Sequence, residues 1–384
     1  MNDVRHLIRV LHVASALDLG GTAKTMQLFV QHLDRRRFLP AVWSPGQGPR
    51  GRLLRDSGVP LFIGKDLAAC ARQFRPHIVH VHRAGWPEPE LLRPLRAAFR
   101  PGPEHPCRRL PRIVETNVFG RYDPSPSGRL IDVTLLVSHF CAERLRVAEG
   151  RVIEAPRHEV LYNPVDVETY AVLTPDPEQR DYSRPVFGRL SRADPGKWSM
   201  LTLEALPLVR SRVPEFTFLV IGGIPEAGEF VRAHGLERHV HFLPPALTDE
   251  ELAGFFNRLS FFAHANNTGE SFGMVIAEAM AAGLPVVTHP CRDWRDNAQV
   301  ELVRNGVTGF VADGPQAYAD AVVRLLSDPA LCRAAGAAAR ADARARFDVH
   351  ALTRRLEAIY DETLSRIYVE TGCAAVTLQA AIDG

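Results

Sequence analysis

Short runs of apolar residues alternate with longer segments of helical periodicity along almost the whole chain. The run Leu7–Ser15 leads through a Gly-Gly turn into a helical segment, and further strand-length runs occur at 39–43, 77–82, 112–116, 132–138 and 159–162. Strands that are apolar throughout are typical of parallel sheets covered by helices on both faces. The pattern therefore predicts an α/β chain with doubly wound, Rossmann-like sheets.

The pattern stops and then restarts, which predicts two domains. Residues 163–184 are rich in proline and charge and are interpreted as a linker, and 384 residues exceed what one core usually serves. We expect a first domain over 1–175, a second over 176–346, and a segment over 347–384 whose helix packs back on the first domain. Ligands of such sheets bind at the carboxyl ends of the strands, so two domains facing a central cleft would place their sites there.

Composition excludes several other classes of protein. Hydrophobic residues make up 46% and charged residues 23%, which is an ordinary globular balance. No apolar run is long enough to cross a bilayer, and the charged start is unlike a signal peptide. The six cysteines are at least 34 positions apart, which argues against a zinc knuckle or a disulfide framework. A cytoplasmic location fits these features.

The net charge of +2 hides an asymmetry, because residues 1–175 carry +8 and the remainder carries −6. A basic first domain with an arginine-rich segment at 93–112 permits an anionic or lipid-linked acceptor at the inner membrane face. An arginine-rich composition in general explains the same numbers equally well. No nucleic-acid partner is predicted.

A pair of cations follows the strand predicted at 185–190. Arg189 ends that strand, and Lys197 begins a helix predicted over 197–211. Cations at a strand end and a helix start suit the binding of a diphosphate. The alternative is a solvated loop, but the chain has only three lysines, and arginine would serve such a position equally well.

Two glutamates flank the start of a helix predicted over 272–282, in the sequence Glu270-SFGMVIA-Glu278. The first amides of that helix, those of Phe272, Gly273 and Met274, would favour an anion. Eight residues span about 12 Å along a helix, more than the spacing of paired carboxylates that act on one glycosidic bond. Glu270 and Glu278 therefore suit the sugar end and the ribose end of one long ligand. The alternative is that Glu270 only caps the helix and that Glu278 is an ordinary charge on its face.

The same stretch contains Gly269-Glu-Ser271-Phe-Gly273, a match to the nucleophile motif of serine hydrolases. Asp293 or Asp296 and then His350 follow in hydrolase order. The hydrolase is the weaker hypothesis, because residues 266–269 separate the strand from the serine turn and because it gives the two cations no role.

Two features of the first domain could contribute to a site. Gly20 and Gly21 form a turn that would admit a phosphate or a sugar, and His80 and His82 with Arg83 could line an acceptor pocket. Simple turn chemistry and packed histidines are the alternatives. The turn at Gly20-Gly21 lacks the G-x-G-x-x-G pattern and the sequence contains no Asp-x-Asp, so neither a dinucleotide cofactor nor a divalent metal is expected.

Together these motifs resemble the retaining glycosyltransferases of family 4, which have the two-domain GT-B fold. The resemblance is strongest over about 186–310 and includes the Gly-Gly turn, Val137-Ser138 and Asn163-Pro-Val-Asp166. It implies that Arg189 and Lys197 grip a donor diphosphate and that Glu278 binds the ribose. The following residues would hold the transferred sugar: Glu270, Ser271, Phe272, Gly273, Met274 and Val275. The nucleobase would lie near 221–223 and 242–245.

One departure from the family concerns the acceptor side, where many members have a histidine near the reacting sugar. This chain has Val114-Glu-Thr-Asn117, so Asn117, Glu115 or His82 would take that place. The resemblance implies a metal-independent transfer of a hexosyl group from a nucleotide diphosphate sugar to a hydroxyl acceptor, with retained configuration. A module of the same fold that binds sugar nucleotides without turnover is a further alternative.

Overall fold

The computed structural model describes residues 7–99 and 111–365, which divide into two compact units. The first comprises the chain up to Pro164 together with the segment from Val349 onward, and the second comprises Val165–Asp348. Most of the arginine-rich segment predicted at 93–112, and the chain beyond residue 365, lie outside the described residues.

The first unit contains a seven-stranded parallel sheet in the order β3-β2-β1-β4-β5-β6-β7. Its strands are β1 (Ile8–Ala14), β2 (Phe38–Ser44), β3 (Leu61–Ile63), β4 (Ile78–Arg83), β5 (Arg112–Asn117), β6 (Val133–Leu136) and β7 (His158–Val160). Its helices are α1 (Gly21–His32), α2 (Pro49–Asp56), α3 (Leu67–Phe74), α4 (Pro89–Ala98) and α5 (His139–Val147), with a 3₁₀ turn at Gly128–Leu130.

The second unit contains a six-stranded parallel sheet in the order β10-β9-β8-β11-β12-β13. Its strands are β8 (Val186–Leu190), β9 (Thr217–Ile221), β10 (Val240–Leu243), β11 (Phe261–Ala263), β12 (Val286–Thr288) and β13 (Gly309–Val311). The remaining helices are α6 (Val167–Leu173), α7 (Leu201–Glu204), α8 (Leu206–Arg210), α9 (Pro225–Ala233), α10 (Asp249–Asn257), α11 (Met274–Ala281), α12 (Gln299–Leu302), α13 (Gly314–Ser327), α14 (Pro329–Phe347) and α15 (Val349–Ser365).

Both sheets are parallel and packed with helices, so the predicted α/β class with Rossmann-like sheets is confirmed. The central strands β1 and β4 are buried along nearly their whole length, as their continuous apolar runs predict. The last described helix, α15, belongs to the first unit, where Leu356, Ile359 and Tyr360 pack in the same core as residues of β1, β2 and β5.

The boundary between the units lies earlier than the sequence predicted. The stretch interpreted as a linker contains α6, which begins where the Asp166 carboxylate accepts a hydrogen bond from the Thr169 amide at 3.0 Å. Tyr170 of this helix is buried against Phe256 of α10. The apolar face of α6 is thus part of the second unit, and the chain divides after Pro164 rather than after residue 175.

Two further observations concern the whole described part of the chain. None of its helices combines the length and the apolarity that a transmembrane helix requires. Its four cysteines are buried free thiols, at positions 70, 141, 291 and 332.

Candidate functional site

Two loops meet at the carboxyl edge of the second sheet and bring the predicted cation and carboxylate together. One loop follows β8 and carries Lys197, and the other follows β11 and carries Glu270. Trp198 pairs with Asn266 as an isolated antiparallel bridge, and the Asn267 amide donates to the Lys197 carbonyl oxygen at 3.2 Å. Lys197 lies before α7 rather than in a helix, because the chain first makes a turn in which the Lys197 amide donates to the Asp194 carbonyl oxygen.

Hydrogen bonds hold one carboxylate oxygen of Glu270, while the side chain as a whole is partly exposed. Its Oε1 accepts hydrogen bonds from His264 Nε2 at 3.1 Å and from Asn266 Nδ2 at 2.9 Å, and 22% of the side chain is exposed. Its backbone amide donates to Gln299 Oε1 at 3.0 Å. The carboxylate is thus fixed in orientation, while its second oxygen makes no hydrogen bond with a described residue.

The charge of Glu270 follows from the same neighbours. Burial alone would raise the pKa of this carboxyl, but hydrogen bonds from His264 and Asn266 and the charge of Lys197 lower the pKa below its ordinary value. Glu270 is therefore an anion at neutral pH. A fixed carboxylate beside a lysine can accept hydrogen bonds from sugar hydroxyls or stabilise positive charge on a nearby carbon.

Sequence reasoning missed His264, Asn266 and Gln299. His264 lies just after β11 and is buried, and its Nδ1 lies 3.0 Å from the Thr288 hydroxyl. A carboxylate can only accept, so His264 Nε2 must carry the proton that it donates to Glu270. Polar side chains directly after an apolar strand are the signal that could have identified His264 and Asn266.

Close backbone packing fixes the loop before Glu270. Gly269 has φ +70°, and a Cβ there would lie 1.5 Å from the Asp296 carbonyl oxygen. Only glycine fits this position. The Arg295 guanidinium also donates to the Asn267 carbonyl oxygen at 3.0 Å, so the loop after β12 supports the loop after β11.

The start of α11 has the arrangement expected of an anion site. Gly273 precedes the helix in a left-handed conformation with φ +101°, and Met274 and Val275 form its first residues. The amides of Gly273 and Val275 make no hydrogen bond within the described part of the chain. Phe272 is buried edge-on against Phe347, so its side chain anchors this turn and does not contact a ligand. The predicted sugar-binding group of backbone amides is therefore structurally possible.

Arg189 is buried in this structure, and its grip on a diphosphate stays a prediction. Its side chain is 1% exposed and lies over the Trp198 ring, with its carbon Cζ 3.8 Å from the ring centroid. Its terminal nitrogens donate to the Ser199 carbonyl oxygen at 3.0 Å and to the Ala265 carbonyl oxygen at 3.1 Å. Burial lowers the pKa of Arg189 to about 10, which leaves it charged at neutral pH. Arg189 therefore ties the Lys197 loop to the Glu270 loop and is not presented to solvent.

Two other predicted residues of this unit are placed by the structure. Glu278 is buried in α11 beside Tyr170, whose pKa is raised by burial first and by the Glu278 charge second. Ser271 is half-buried, and the hydrolase alternative finds no support here. The strand β11 ends at Ala263 well before Ser271, whereas the hydrolase motif needs the strand to lead directly into the serine turn. His350 belongs to the first unit.

Three histidines of the first unit form a buried cluster. His12, His80 and His82 offer nitrogen atoms that all lie within 4.8 Å of one another, a spacing that could hold a metal ion. His12 Nδ1 lies 3.1 Å from His82 Nε2, and both nitrogens of His80 contact hydroxyls, those of Tyr360 and Thr116. Burial lowers the pKa of His82 to about 3 and lowers those of the other two. The cluster is therefore a network of neutral rings; His82 is 1% exposed, and its contribution to an acceptor pocket stays a prediction.

Asn117 has a structural role, and its predicted place on the acceptor side stays a prediction. It is 3% exposed, and its amide group closes a loop by donating to the Arg121 carbonyl oxygen at 2.8 Å and accepting from the Arg121 amide at 3.2 Å. Glu115 is buried beside Arg83, with 3.2 Å between Oε1 and Nε. Burial, opposed by Arg83, raises the pKa of Glu115 to about 7. The Gly20-Gly21 turn leads into α1 and remains partly open to solvent.

Residues 184–328 match the model of the family described as glycosyl transferases group 1. Most of the second unit is therefore similar to this family. Solved structures extend the likeness to the whole fold. A glycosyltransferase from Rickettsia africae covers 93% of this chain and 99% of its own at a TM-score of 0.74 and 17% identity. The structure of Anabaena HepE in complex with UDP and glucose covers 94% of this chain and 100% of its own. Its TM-score is 0.69 and its sequence identity is 20%. The chain therefore has the GT-B fold.

Curated relatives match a smaller part of the chain. A GDP-mannose-dependent alpha-(1-6)-phosphatidylinositol monomannoside mannosyltransferase of Mycolicibacterium smegmatis is 33% identical over 232 residues, which are 56% of this chain and 58% of that protein. A phosphatidyl-myo-inositol mannosyltransferase of Mycobacterium leprae is 32% identical over 170 residues, 44% of each. The chain thus spans about half the length of the curated relatives it matches.

Proposed function

We propose that this chain is a retaining glycosyltransferase of family 4 that transfers a hexosyl group from a nucleotide diphosphate sugar to a hydroxyl acceptor. The observation that carries the proposal is the fixed Glu270 carboxylate, with Lys197 and the start of α11 beside it. The names of the curated relatives favour a mannosyl donor such as GDP-mannose.

Lys197 and the α11 amides would neutralise the leaving diphosphate. The amides of Gly273 and Val275 and the positive end of the helix dipole suit a phosphoryl or sugar oxygen. Glu270 would accept hydrogen bonds from hydroxyls of the transferred sugar on its open oxygen. Glu278 stays our proposal for the ribose.

In the proposed reaction the acceptor hydroxyl oxygen bonds to the anomeric carbon while the bond from that carbon to the β-phosphate oxygen breaks. The hydroxyl proton passes to a phosphate oxygen, so the products are the glycoside and a nucleoside diphosphate. Attack from the face that the phosphate leaves gives retention. Lys197 and the helix amides would stabilise the charge that develops on the phosphate, so we propose that no divalent metal is needed.

The proposed acceptor is a hydroxyl of a glycan or a lipid-linked group, used at the cytoplasmic side of a membrane. The charge of +8 over residues 1–175 supports an anionic acceptor, and the relatives' names supply phosphatidylinositol derivatives as the first to test. Vesicles of phosphatidylinositol and of phosphatidylcholine, incubated with labelled GDP-mannose, would compare an anionic with a neutral acceptor surface.

A donor screen followed by variants tests the proposal. Thermal shifts with GDP-, UDP-, ADP- and TDP-sugars identify the donor, because a ligand that binds only the folded state raises the melting temperature. We expect Lys197→Ala to lower transfer about 10²–10³-fold, as the loss of one charge-stabilising donor commonly does. Lys65→Ala is the matched control, since Lys65 is an exposed lysine of the first unit.

The results also separate the alternatives. Near-normal transfer by both Lys197→Ala and Glu270→Gln would refute the proposed site. A protein that binds a sugar nucleotide but gives no glycoside with a broad acceptor pool, detected by mass spectrometry, would be a non-catalytic module. Ser271→Ala should keep most of the transfer activity, whereas a serine hydrolase would lose its chemistry.

A further inference from the structure

An exposed aromatic pair lies at the carboxyl edge of the first sheet. Trp86 follows β4 and Phe119 follows β5, and their rings are parallel to within 6° with centroids 5.2 Å apart. Trp86 is 46% exposed while Phe119 is half-buried beneath it. The pair therefore offers a flat apolar surface about as wide as one ring.

The two loops that carry the pair are held together as an extension of the sheet. The Val118 amide donates to the Arg83 carbonyl oxygen at 3.0 Å, and the Phe119 amide donates to the Ala84 carbonyl oxygen at 3.1 Å. Gly85 has φ +105°, and a Cβ there would lie 2.2 Å from Asn117 Oδ1. The Asn117 side chain thus fills the space that a Cβ at position 85 would take. The loop after β4 therefore packs closely against the loop after β5.

A buried ion cluster holds the backbone of Trp86. The Arg83 side chain is 1% exposed, and its Nη1 donates to the Trp86 carbonyl oxygen at 2.6 Å and to Asp123 Oδ2 at 3.1 Å. Glu115 pairs with the Nε atom of the same guanidinium. A tryptophan that is half exposed on so rigid a loop is preorganised for a contact, because little motion is lost when a ligand binds.

The position and the surroundings indicate the kind of ligand. Ligands of parallel α/β sheets bind outside the carboxyl ends of the strands, where both rings lie. Arg121, whose backbone is held by Asn117, forms an ion pair with Glu149 at 2.9 Å and places charge near the pair. A small aromatic face beside charged groups suits a ring with C–H groups on one face and hydroxyls at its rim better than it suits an acyl chain.

We propose that Trp86, supported by Phe119, stacks against a six-membered polyhydroxylated ring, a hexopyranose or a cyclitol, of the acceptor. The proposal rests on the proposed function, since it assigns the acceptor of that transfer. Trp86 sets affinity and specificity here and takes no part in bond breaking. Its contribution should therefore appear in the KM for the acceptor and not in the KM for the donor.

Binding of simple ring probes to the full chain tests this without a known acceptor. Methyl α-D-mannopyranoside and myo-inositol are used as probes, and saturation-transfer NMR and tryptophan fluorescence measure their binding. We expect saturation transfer to the C–H protons of the ring. Trp86→Leu should bind the probes about three- to tenfold more weakly, which is the usual effect of losing one aromatic contact. Trp86→Phe should restore most of the binding. Trp294→Leu, at an exposed tryptophan of the second unit, is the control.

Two outcomes would overturn the proposal. The first is equal binding of both probes by the wild type and Trp86→Leu, with Trp86→Leu as stable as the wild type. The second is Trp86-dependent sedimentation with phosphatidylcholine vesicles in the absence of saturation transfer to either ring, which would indicate membrane insertion. Nucleotide binding is measured on the same samples to distinguish failure of the proposed function from failure of the Trp86 proposal. A wrong donor site would mean that no nucleotide binds, whereas Trp86→Leu should leave nucleotide binding unchanged.

Discussion

The buried histidines of the first unit should make that unit sensitive to acid. Burial holds the pKa of His82 at about 3 in the folded protein, against about 6.5 in an unfolded chain. Between these values the unfolded chain takes up a proton that the folded state rejects, so stability falls as the pH falls from about 6.5 towards 3. At pH 5 this one group removes about 2 kcal/mol. The pKa values of His12 and His80 are lowered as well, which adds to the loss.

Replacing His82 with glutamine removes the titrating ring and keeps a polar side chain at this position. We expect His82→Gln to be less stable than the wild type at pH 7.5 but to lose about 2 kcal/mol less on acidification to pH 5. Hydrogen–deuterium exchange of peptides from β1 and β4, corrected for the intrinsic effect of pH, measures this in the first unit alone. A difference of 2 kcal/mol corresponds to about a 30-fold change in protection.

The contribution of carboxylates that titrate in both proteins cancels when the pH dependence of stability is compared between the wild type and His82→Gln. His241→Gln, at an exposed histidine of β10, is the control and should keep the wild-type dependence. If the wild type and His82→Gln lose protection equally between pH 7.5 and 5, the ring is not held neutral by burial, and the argument is refuted.

Three further substitutions test other parts of the structure. The pH dependence of stability for Glu115→Gln should have the opposite sign to that for His82→Gln. The raised pKa of Glu115 costs the wild type about 2 kcal/mol of stability between pH 5 and 8, so the variant gains stability relative to the wild type as the pH rises. Urea unfolding measures this, and parallel pH dependences of the two proteins would contradict it. Arg189→Ala should destabilise the second unit by about 2–4 kcal/mol in calorimetry, because buried carbonyl oxygens lose their donor, whereas Lys197→Ala should stay within about 0.5 kcal/mol. Equal stability of these two variants would contradict the conclusion that Arg189 ties the Lys197 loop to the Glu270 loop. Gly269→Ala should raise the KM for the donor and lower the melting temperature, and wild-type values for both would show that the loop tolerates a Cβ.

The sequence predicted the central strands well because they are buried on both faces, whereas the short edge strands β3 and β13 were not predicted. Leu7–Ser15 and 77–82 correspond to β1 and β4 to within a residue or two, since an uninterrupted apolar run marks such a strand. The boundaries of short helices were less accurate. The helix predicted from Lys197 begins at Leu201, because Trp198 pairs with Asn266 across the sheet edge. A contact between distant loops leaves no local pattern.

The same limitation applies to the roles of individual site residues. Arg189 and Lys197 are both cations after one strand, and only the structure shows that the first is buried against carbonyl oxygens. His264 contacts Glu270 from six positions away and has no motif of its own. Motif spacing could predict where the site lies, whereas burial decides which residue binds and which one supports.

The return of α15 to the first unit has a consequence for biosynthesis. Tyr360 of this helix lies 2.6 Å from His80 Nδ1, and its neighbours complete a core begun by β1 at the other end of the chain. A ribosome therefore releases every strand of the first sheet, and all of Val165–Asp348, before the residues that complete the first core are made. The domain translated second can finish folding first, while the earlier one waits with an uncovered apolar face.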